Sequence, residues 1–216
     1  MSLNKIEPFV IGITGLSGSG KSFYVNLLKE KLGNNVCVVG FDDYYKSLDQ
    51  QITDENGETN YDLPSALHQD KFHADLLKLI DYQTVEIKKY QFENYDAPEV
   101  IEIINPAPIL VVEGLFVLDY QPVNKLLNFR IFMDCNLELC FNRRLIRDVT
   151  QRNIPENKSK YQWKHHVLPA FEKYIVPFKE SCNMVIENNG SPDENIDAII
   201  REIKVKAHHS VTSQLP

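Results

Sequence analysis

The sequence has no long apolar runs and is short of positive charge. Its 216 residues include 23 lysines and arginines against 30 aspartates and glutamates, a formal net charge of -7. No apolar run approaches the roughly 20 residues that span a bilayer, and Met1–Pro8 has no apolar segment typical of a signal peptide. A basic face is expected of proteins that bind duplex nucleic acid. We therefore expect a soluble, cytoplasmic protein without a membrane or nucleic-acid partner.

Cysteine is scarce and shows no metal-binding spacing. The four cysteines are scattered along the chain: Cys37, Cys135, Cys140 and Cys182. They form no C-x-x-C pair, and three lie in or beside apolar runs typical of buried thiols. The adjacent histidine pairs at 165–166 and 208–209 lack the i, i+4 spacing that binds zinc on a helix. We expect reduced cysteines and no zinc.

The sequence does contain a glycine-rich stretch, Gly15–Ser22, which reads G-L-S-G-S-G-K-S. It fits the phosphate-binding pattern G-x-x-x-x-G-K-[ST] at every fixed position. The apolar, β-branched run Phe9–Thr14 precedes it and predicts a buried strand, while Ser22–Leu32 has apolar residues at roughly helical spacing. Strand, glycine loop and helix therefore follow in the order that a nucleotide-binding loop requires.

The residue types in this stretch suit phosphate chemistry. Glycines let backbone N–H groups converge on an anion, and the following helix adds the positive end of its dipole. We predict that Lys21 reaches the β- and γ-phosphates of ATP or GTP and that the Ser22 hydroxyl ligates Mg²⁺. The remaining predicted nucleotide contacts are Gly15, Ser17, Gly18, Ser19 and Gly20.

Two carboxylates follow the next predicted strand, Val36–Gly40. Because ligands of open parallel sheets lie at the carboxyl ends of the strands, Asp42 or Asp43 is placed to act near the γ-phosphate. Consecutive side chains point in different directions, so we expect one of the two to face the reaction and the other to serve as a capping or turn residue. A third acid, Glu113, ends the apolar run Ile109–Val112 and is a candidate to support the magnesium.

Two further segments leave alternatives open. Asp62 precedes a predicted helix over 65–81 and is either a turn residue, which the spacing favours, or a carboxylate that binds hydroxyls. Two alternating runs, Thr84–Lys88 and Val100–Ile103, predict a hairpin outside the main sheet. The aromatics between them either stack on a flat ligand or pack the hairpin against the body.

A helix that ends near Arg152 contains an arginine cluster. Arg144 has Asp148 four residues on, an ordinary helical ion pair. Arg143 and Arg147 are four residues apart, and neither has an acid three or four residues away. Such like-charged neighbours favour an anion between them, with a solvated basic face as the alternative. The polar segment 153–160 suits a mobile flap, and 161–179 predicts helix with an interruption at Pro169.

Together these features predict an α/β protein. The fold class is a phosphate-loop NTPase-type parallel sheet flanked by helices. We expect a single domain over 1–216, with a hairpin insertion at about 84–104 and a helical lid at about 143–164. A loop is expected over 47–59.

The chain resembles the uridine kinase (uridine-cytidine kinase) family of phosphate-loop kinases over nearly its whole length. The motifs that carry the resemblance are Gly15–Ser22, Asp42–Tyr45, Asn60–Pro64, Tyr90–Phe92, Val112–Gly114, Arg143–Asp148 with Arg152, and Pro169–Glu172. The phosphate loop is shared by many families, whereas the arginine helix combined with Pro-Ala-Phe-Glu is specific. The activity implied is phosphorylation of a ribonucleoside 5′-hydroxyl, of uridine or cytidine, in pyrimidine salvage.

The resemblance also implies roles for individual residues. Asp42 is expected to act as the general base, and Lys21 and Arg147 to assist the transfer. Asp62 and Arg144 would hold the ribose hydroxyls, which reverses the preference from spacing. Arg147 and Arg152 would belong to the lid over the triphosphate. The residues expected at the base are Tyr90, Phe92 and Tyr95.

Three positions depart from the family pattern. Tyr95 stands where a histidine that reads the pyrimidine edge is usual, which leaves the base preference open. Asp43 replaces a serine. Ile154 lies where a further lid arginine is common, so a weaker grip on the triphosphate is expected.

Other functions remain compatible with these residues. Nicotinamide riboside kinase and pantothenate kinase share the loop and the Asp42 region, and two aromatics after Asp42–Asp43 are similar to the riboside kinase pattern. A nucleotide switch or ATPase would need a water-positioning residue and switch loops. A non-catalytic binding module would not need an intact Lys21, Ser22, Asp42 and Glu113. Members of the resembled family often assemble, so a homo-oligomer is an open expectation.

Overall fold

The structure is a computed structural model that describes residues 7–92, 98–189 and 192–207. The strands of this part are β1 Phe9–Gly15, β2 Val36–Gly40, β3 Val85–Lys88, β4 Ile101–Ile104, β5 Ile109–Glu113, β6 Phe129–Asp134 and β7 Met184–Glu187. The helices are α1 Lys21–Leu32, α2 Gln69–Ile80, α3 Gln121–Asn124, α4 Leu137–Gln151, α5 Glu156–Gln162, α6 Leu168–Tyr174 and α7 Pro192–Ala207.

Five strands form one parallel sheet in the order β2-β5-β1-β6-β7. Parallel neighbours need crossover connections, which the helices supply. In register, Glu113 at the end of β5 lies between Ile13 of β1 and Gly40 of β2. The predicted α/β class with a phosphate-loop-type parallel sheet is confirmed. The carboxyl ends of β2, β5 and β1 lie side by side at one edge of this sheet.

The strands are apolar throughout because both faces of the sheet are covered. Along β1, Phe9, Ile11 and Ile13 face the core under α1 and α7. Val10 faces the opposite core, which α2 and part of α6 cover together with the β3–β4 strands. Helix α1 ends at Leu32, and the next residue, Gly33, has a φ of 55, a backbone angle that glycine tolerates. Helix α1 packs on the face of β1 that carries Phe9, Ile11 and Ile13.

Strands β3 and β4 form a separate two-stranded antiparallel sheet, as the alternating pattern predicts. We call the segment Val85–Ile104 the hairpin. Its side chains Val85, Ile87 and Ile104 pack on the core, while Ile101 and Ile103 face outward. Tyr90 and Phe92, which follow β3, lie at the cavity on the carboxyl edge of the main sheet.

The predicted helix over 65–81 is wrong at its start. Pro64–Ala66 is a 3₁₀ turn, Leu67 is extended, and α2 begins only at Gln69. Leu67 leaves the helical conformation because it forms an isolated β-bridge with Tyr45. That bridge joins the segment after Asp62 to the segment after Asp43.

The predicted flap over 153–160 is also partly wrong, because α5 begins at Glu156 inside it. The helix over 161–179 is interrupted by a π-turn, Trp163–Val167, directly before α6. Pro169 lacks an N–H, so it cannot donate a hydrogen bond to the carbonyl four residues back, and its ring crowds that carbonyl. The wider π-turn makes room for the ring. The interruption therefore precedes the proline.

The 47–59 segment is more ordered than the sequence indicates. Leu48–Gln50 is a 3₁₀ turn, and Asp54 accepts a bond from the Tyr161 hydroxyl at 2.7 Å. Asp54 Oδ2 also lies 2.8 Å from His166 Nε2. These bonds attach the loop to α5 and the π-turn. In the described ranges, no helix is long and apolar enough to cross a membrane.

Candidate active site

The phosphate loop, Gly15–Ser22, joins β1 to α1 with backbone angles that side chains resist. Gly18 has a φ of 83 and Gly20 a φ of 95. A Cβ on Gly18 would lie 2.2 Å from the carbonyl oxygen of Cys140, and one on Gly20 would lie 2.3 Å from Asn188 Nδ2. Close packing and the left-handed conformation therefore both require glycine at these two positions.

Lys21 lies at the first position of α1 and folds back over the loop. Its ammonium donates to the carbonyl oxygens of Gly15 at 2.8 Å and Leu16 at 3.1 Å. Burial lowers the pKa of Lys21, although Glu113 and Asp42 oppose the shift. The ammonium is thus held beside the loop, ready to exchange its carbonyl partners for an anion.

A cavity of about 280 Å³ opens at the carboxyl edge of the sheet above this loop. Most predicted site residues line it: Ser17, Gly18, Gly20, Lys21, Ser22, Asp42, Asp62, Tyr90, Phe92, Glu113, Arg144, Arg147 and Arg152. Gly15 and Ser19 belong to the same loop but are not among the residues that line the cavity. Tyr95 lies outside the described residues. Residues far apart in sequence are therefore gathered around one space.

Two carboxylates and a hydroxyl meet beside the loop. The Ser22 hydroxyl donates to Glu113 Oε1 at 3.4 Å. Burial, followed by the nearby Asp42 charge, raises the pKa of Glu113 to about 7, although Lys21 opposes this. Burial, the larger cause, disfavours the charged carboxylate, and the Asp42 charge adds to that effect. Hard oxygen donors with excess negative charge fit Mg²⁺, so the predicted ligands Ser22 and Glu113 suit that ion.

The adjacent aspartates Asp42 and Asp43 point in different directions from the 3₁₀ turn Phe41–Tyr44. Asp42 lines the cavity, and its charge acts on both Lys21 and Glu113. Asp43 instead bonds to the hairpin, where it accepts from the Tyr90 amide at 3.2 Å. Burial raises the pKa of the Asp43 carboxyl, and Lys89 opposes that shift. Of the two adjacent aspartates, Asp42 is therefore the one that faces the cavity.

Asp62 and Arg144 form a buried pair in the cavity wall. Arg144 NH1 lies 3.8 Å from Asp62 Oδ1 and donates to the Ser17 hydroxyl at 3.0 Å. Both side chains are nearly inaccessible, 7% and 9% exposed. A carboxylate beside a guanidinium offers both acceptors and donors to a neighbouring diol. The pair also links this part of the wall to the phosphate loop.

Asp148 is the centre of the arginine cluster and is fully buried. It accepts a hydrogen bond from Arg147 NH2 at 2.9 Å, and it forms ion pairs with Arg144 Nε at 3.1 Å and Arg152 NH1 at 3.7 Å. Although burial opposes it, the charges of Arg144 and Arg147 hold the pKa of Asp148 below its ordinary value. The predicted Arg144–Asp148 pair is confirmed. Arg147, which has no acid three or four residues away, pairs instead with the adjacent Asp148, because its long side chain folds back onto that residue.

The cluster remains rich in positive charge despite Asp148. Burial and the Arg147 charge lower the pKa of Arg152 to about 10. Arg143 reaches Cys135 Sγ and the carbonyl oxygen of Asn188, both at 3.4 Å. These groups face the same cavity as the phosphate loop, so a polyanion there would meet Lys21 on one side and Arg147 and Arg152 on another.

The far end of the cavity is aromatic. Tyr90 and Phe92 pack on each other with ring centroids 4.9 Å apart, and Tyr45 lies 5.1 Å from Tyr90. The guanidinium of Arg152 stacks 3.7 Å from the centroid of Phe92. We call Tyr45, Tyr61, Tyr90 and Phe92 the aromatic wall. A flat ring can pack against such a surface.

Sequence reasoning missed several lining residues: Phe23, Tyr45, Tyr61, Leu115 and Gln162. Leu115 could have been inferred, because it follows the predicted strand that ends at Glu113 on the carboxyl edge of the sheet. Tyr45 and Tyr61 lie beside predicted acids but gave no periodic signal. Gln162 reaches the cavity through the folding of α5, which no local pattern indicates.

Comparisons with known proteins agree with this geometry. The family profile described as phosphoribulokinase / uridine kinase matches residues 10–195. The "Uridine kinase" of Leuconostoc citreum (strain KM20) is 30% identical over 202 residues, covering 92% of this chain and 96% of that protein. "Uridine kinase-like protein 5" of Arabidopsis thaliana is 31% identical over 201 residues, covering 93% of this chain but 43% of that protein.

The fold comparison points the same way. A D-glycerate 3-kinase from Cryptococcus neoformans has a TM-score of 0.60 at 12% identity, with 86% of this chain and 89% of that chain covered. At such low identity the likeness concerns the fold alone.

The parallel sheet, the phosphate loop after β1 and the acids after β2 and β5 define a phosphate-loop kinase. Within that class, the chain belongs to the phosphoribulokinase / uridine kinase family. It is an enzyme of the phosphotransferase type.

Proposed function

We propose that this protein phosphorylates the 5′-hydroxyl of a ribonucleoside, uridine or cytidine, with Mg²⁺ and ATP as the phosphoryl donor. The observation that carries the proposal is the set of groups gathered around one cavity. It is lined by the phosphate loop, by arginines, by the carboxylate of Asp42, by the Asp62–Arg144 pair and by the aromatic wall. That set suits a triphosphate, a hydroxyl nucleophile, a ribose diol and a flat base.

At the phosphate end, the protein contributes charge and position. Loop N–H groups and Lys21 bind the β- and γ-phosphoryl oxygens, and Arg147 and Arg152 approach from the lid. No covalent intermediate is required, because phosphoryl transfer gains mainly from alignment and from donors fixed in advance. Mg²⁺, when held by Ser22 and supported by Glu113, supplies charge neutralisation of the phosphoryl oxygens.

At the acceptor end, Asp42 accepts the proton of the 5′-hydroxyl as that oxygen bonds to the γ-phosphorus, while the bond from the γ-phosphorus to the β,γ-bridging oxygen breaks and ADP leaves. Asp62 and Arg144 bind the ribose hydroxyls and hold the 5′-carbon toward Asp42. Tyr90 and Phe92 pack against the base. Tyr95, which stands where the resembled family usually has a histidine, is proposed to tune the preference among bases.

The test is a coupled ADP-release assay with Mg²⁺ and ATP. The acceptors are uridine, cytidine, purine nucleosides, nicotinamide riboside and pantothenate, with a no-acceptor blank. Turnover that requires uridine or cytidine supports the proposal. Turnover with nicotinamide riboside alone would favour the second candidate, which the two aromatics after Asp42–Asp43 support. Equal ADP release in the blank would contradict kinase activity in favour of an ATPase or switch.

The cellular setting is part of the proposal. All four cysteines are unpaired thiols, and burial raises the pKa of Cys37 to about 11 and of Cys140 to about 12. Unreactive free thiols and an ATP-dependent reaction support a cytoplasmic protein that acts on a small nucleoside in pyrimidine salvage. GTP as donor and a homo-oligomeric state are tested by replacing ATP in the same assay and by measuring the mass in solution.

A further inference from the structure

Asp43 and Lys89 form an ion pair between two segments that both reach the candidate active site. Lys89 Nζ lies 2.5 Å from Asp43 Oδ2, and the carboxylate also accepts the Tyr90 amide at 3.2 Å. Asp43 is 12% exposed and Lys89 39% exposed. Lys89 makes a second ion pair across the hairpin, with Glu102 at 3.2 Å. The carboxylate thus bonds both to a side chain and to the backbone where the hairpin leaves β3.

The two ends of this contact carry different parts of the site. Asp43 shares the 3₁₀ turn Phe41–Tyr44 with Asp42, which faces the cavity. Lys89 is followed directly by Tyr90, and Phe92 lies two residues further on. The pair therefore joins the turn that positions the proposed base to the segment that positions half of the aromatic wall.

The ion pair adds a polar restraint to the apolar packing of the hairpin. Val85, Ile87 and Ile104 are buried along the length of the β3–β4 ladder, and beyond it Tyr90 and Phe92 are only partly buried against the same core. Nearer the cavity, β3 ends in Lys88, whose side chain pairs with the exposed Glu99. An exposed pair of that kind contributes little positional restraint. A mostly buried carboxylate with two donors is more restrictive, because removing one donor leaves its charge uncompensated.

We propose that Asp43 and Lys89 act as a positioning pair that holds Tyr90 and Phe92 at the acceptor end of the cavity. The pair sets the affinity for the acceptor, while Asp42 and the phosphate loop set the rate of transfer and the affinity for the nucleotide. This inference rests on the proposed function, since it assigns the aromatic wall to the acceptor.

The test separates the acceptor KM from kcat and from the ATP KM. In Lys89→Gln the acceptor KM is expected to rise about tenfold, with kcat and the ATP KM within about threefold of the unchanged protein. Asp43→Asn keeps the size of the side chain and an acceptor for the Tyr90 amide, so it provides the same test if Lys89→Gln does not fold. Lys89→Arg keeps the charge and is expected to stay within about threefold in every parameter.

The double variant shows whether the two residues act as a unit. Asp43→Asn combined with Lys89→Gln is expected to raise the acceptor KM by about tenfold, as each single variant does, rather than by their product of about a hundredfold. Lys88→Gln is the matched control, because Lys88 is the neighbouring lysine, pairs only on the hairpin surface among its described contacts and is 59% exposed. It is expected to leave all three parameters unchanged.

The outcomes distinguish this inference from the proposed function. If the unchanged protein shows no nucleoside-dependent turnover, both are overturned. If the unchanged protein turns over a nucleoside, three results overturn the positioning pair alone. These are single variants that melt earlier but keep the acceptor KM, changes of equal size in the ATP KM, and additive effects in the double variant.

Discussion

The two ends of the cavity are built differently. The phosphate end is built on one continuous stretch, Gly15–Ser22, between β1 and α1, to which α4 and the residue after it add Arg147 and Arg152. The stretch is packed so closely that glycine is required at two positions. The acceptor end is assembled from separate segments: the turn after β2, the stretch around Asp62, the hairpin and α5. The first end depends on local backbone conformation, and the second on contacts between side chains far apart in sequence.

This difference suggests how the two ends tolerate change. A loop that binds phosphate through backbone N–H groups has little freedom, because its conformation is its function. A wall of aromatic side chains can be altered one residue at a time, with modest changes in affinity. We therefore expect substitutions at the phosphate end and at the proposed base to affect nucleotide use and turnover severely, and those at the aromatic wall to shift acceptor choice.

The largest effect is expected at the centre, where the two ends meet. Asp42→Asn should lower kcat by about 10²–10⁴, the usual contribution of a general base, while ATP still binds. Stopped assays for kcat and calorimetric titration of ATP measure the two quantities. Asp49→Asn, an exposed acid in the following turn, is the control and should be silent. Undiminished turnover in Asp42→Asn would remove this residue from the mechanism.

The next effect tests the rigidity of the phosphate end. Gly20→Ala should raise the ATP KM at least tenfold, because the added Cβ would lie 2.3 Å from Asn188 Nδ2 and φ is 95. Gly57→Ala is the matched control, since Gly57 has a φ of 80 and a Cβ added there would meet no atom within 4 Å. It should cost about 1 kcal/mol of stability through backbone strain alone and leave the ATP KM unchanged. Equal ATP KM values in the two variants would contradict the view that close packing at Gly20 is needed for ATP binding.

A smaller effect is expected at the aromatic wall. Phe92→Leu removes the ring that packs on Tyr90 and on the Arg152 guanidinium. Such contacts contribute about 0.5–1.5 kcal/mol, so the acceptor KM should rise by roughly two- to tenfold, with a smaller rise in the ATP KM because Arg152 loses its stacking partner. Ile103→Thr, on the outward face of the same hairpin, is the control for general loosening. A change confined to the ATP KM would show that the acceptor does not bind at the aromatic wall.

The smallest effect concerns the lid. Ile154 is buried in the cavity wall near Arg147 and Arg152. Ile154→Arg adds a charge that a triphosphate would pair with, so the ATP KM should fall by roughly fivefold, about 1 kcal/mol. Without nucleotide, the melting temperature should fall, because the new charge is buried among like charges. An unaltered ATP KM would count against the view that the lid grips the triphosphate weakly.

The sequence predicted the phosphate end because its signals are local. The order of strand, glycines and helix requires no distant contact, and the parallel sheet follows from alternating strands and helices. The Arg147–Asp148 contact escaped prediction because adjacent helical residues do not normally face each other. The extended conformation of Leu67 depends on its bridge to Tyr45, which no local pattern indicates. The contact of Asp43 likewise depends on Lys89, which lies 46 residues away in the sequence. The single domain over 1–216 and the assigned roles of the site residues stay predictions.

One measurement tests the central claim, transfer to a nucleoside 5′-hydroxyl, most directly. ADP release is compared between uridine, cytidine and their 5′-deoxy analogues, which keep the base and the ribose diol but lack the nucleophile. The account predicts turnover with at least one parent nucleoside, a 5′-monophosphate as product, and no turnover with its 5′-deoxy analogue, which should instead compete with the nucleoside. ADP release with the 5′-deoxy analogue at the rate of the parent would contradict it.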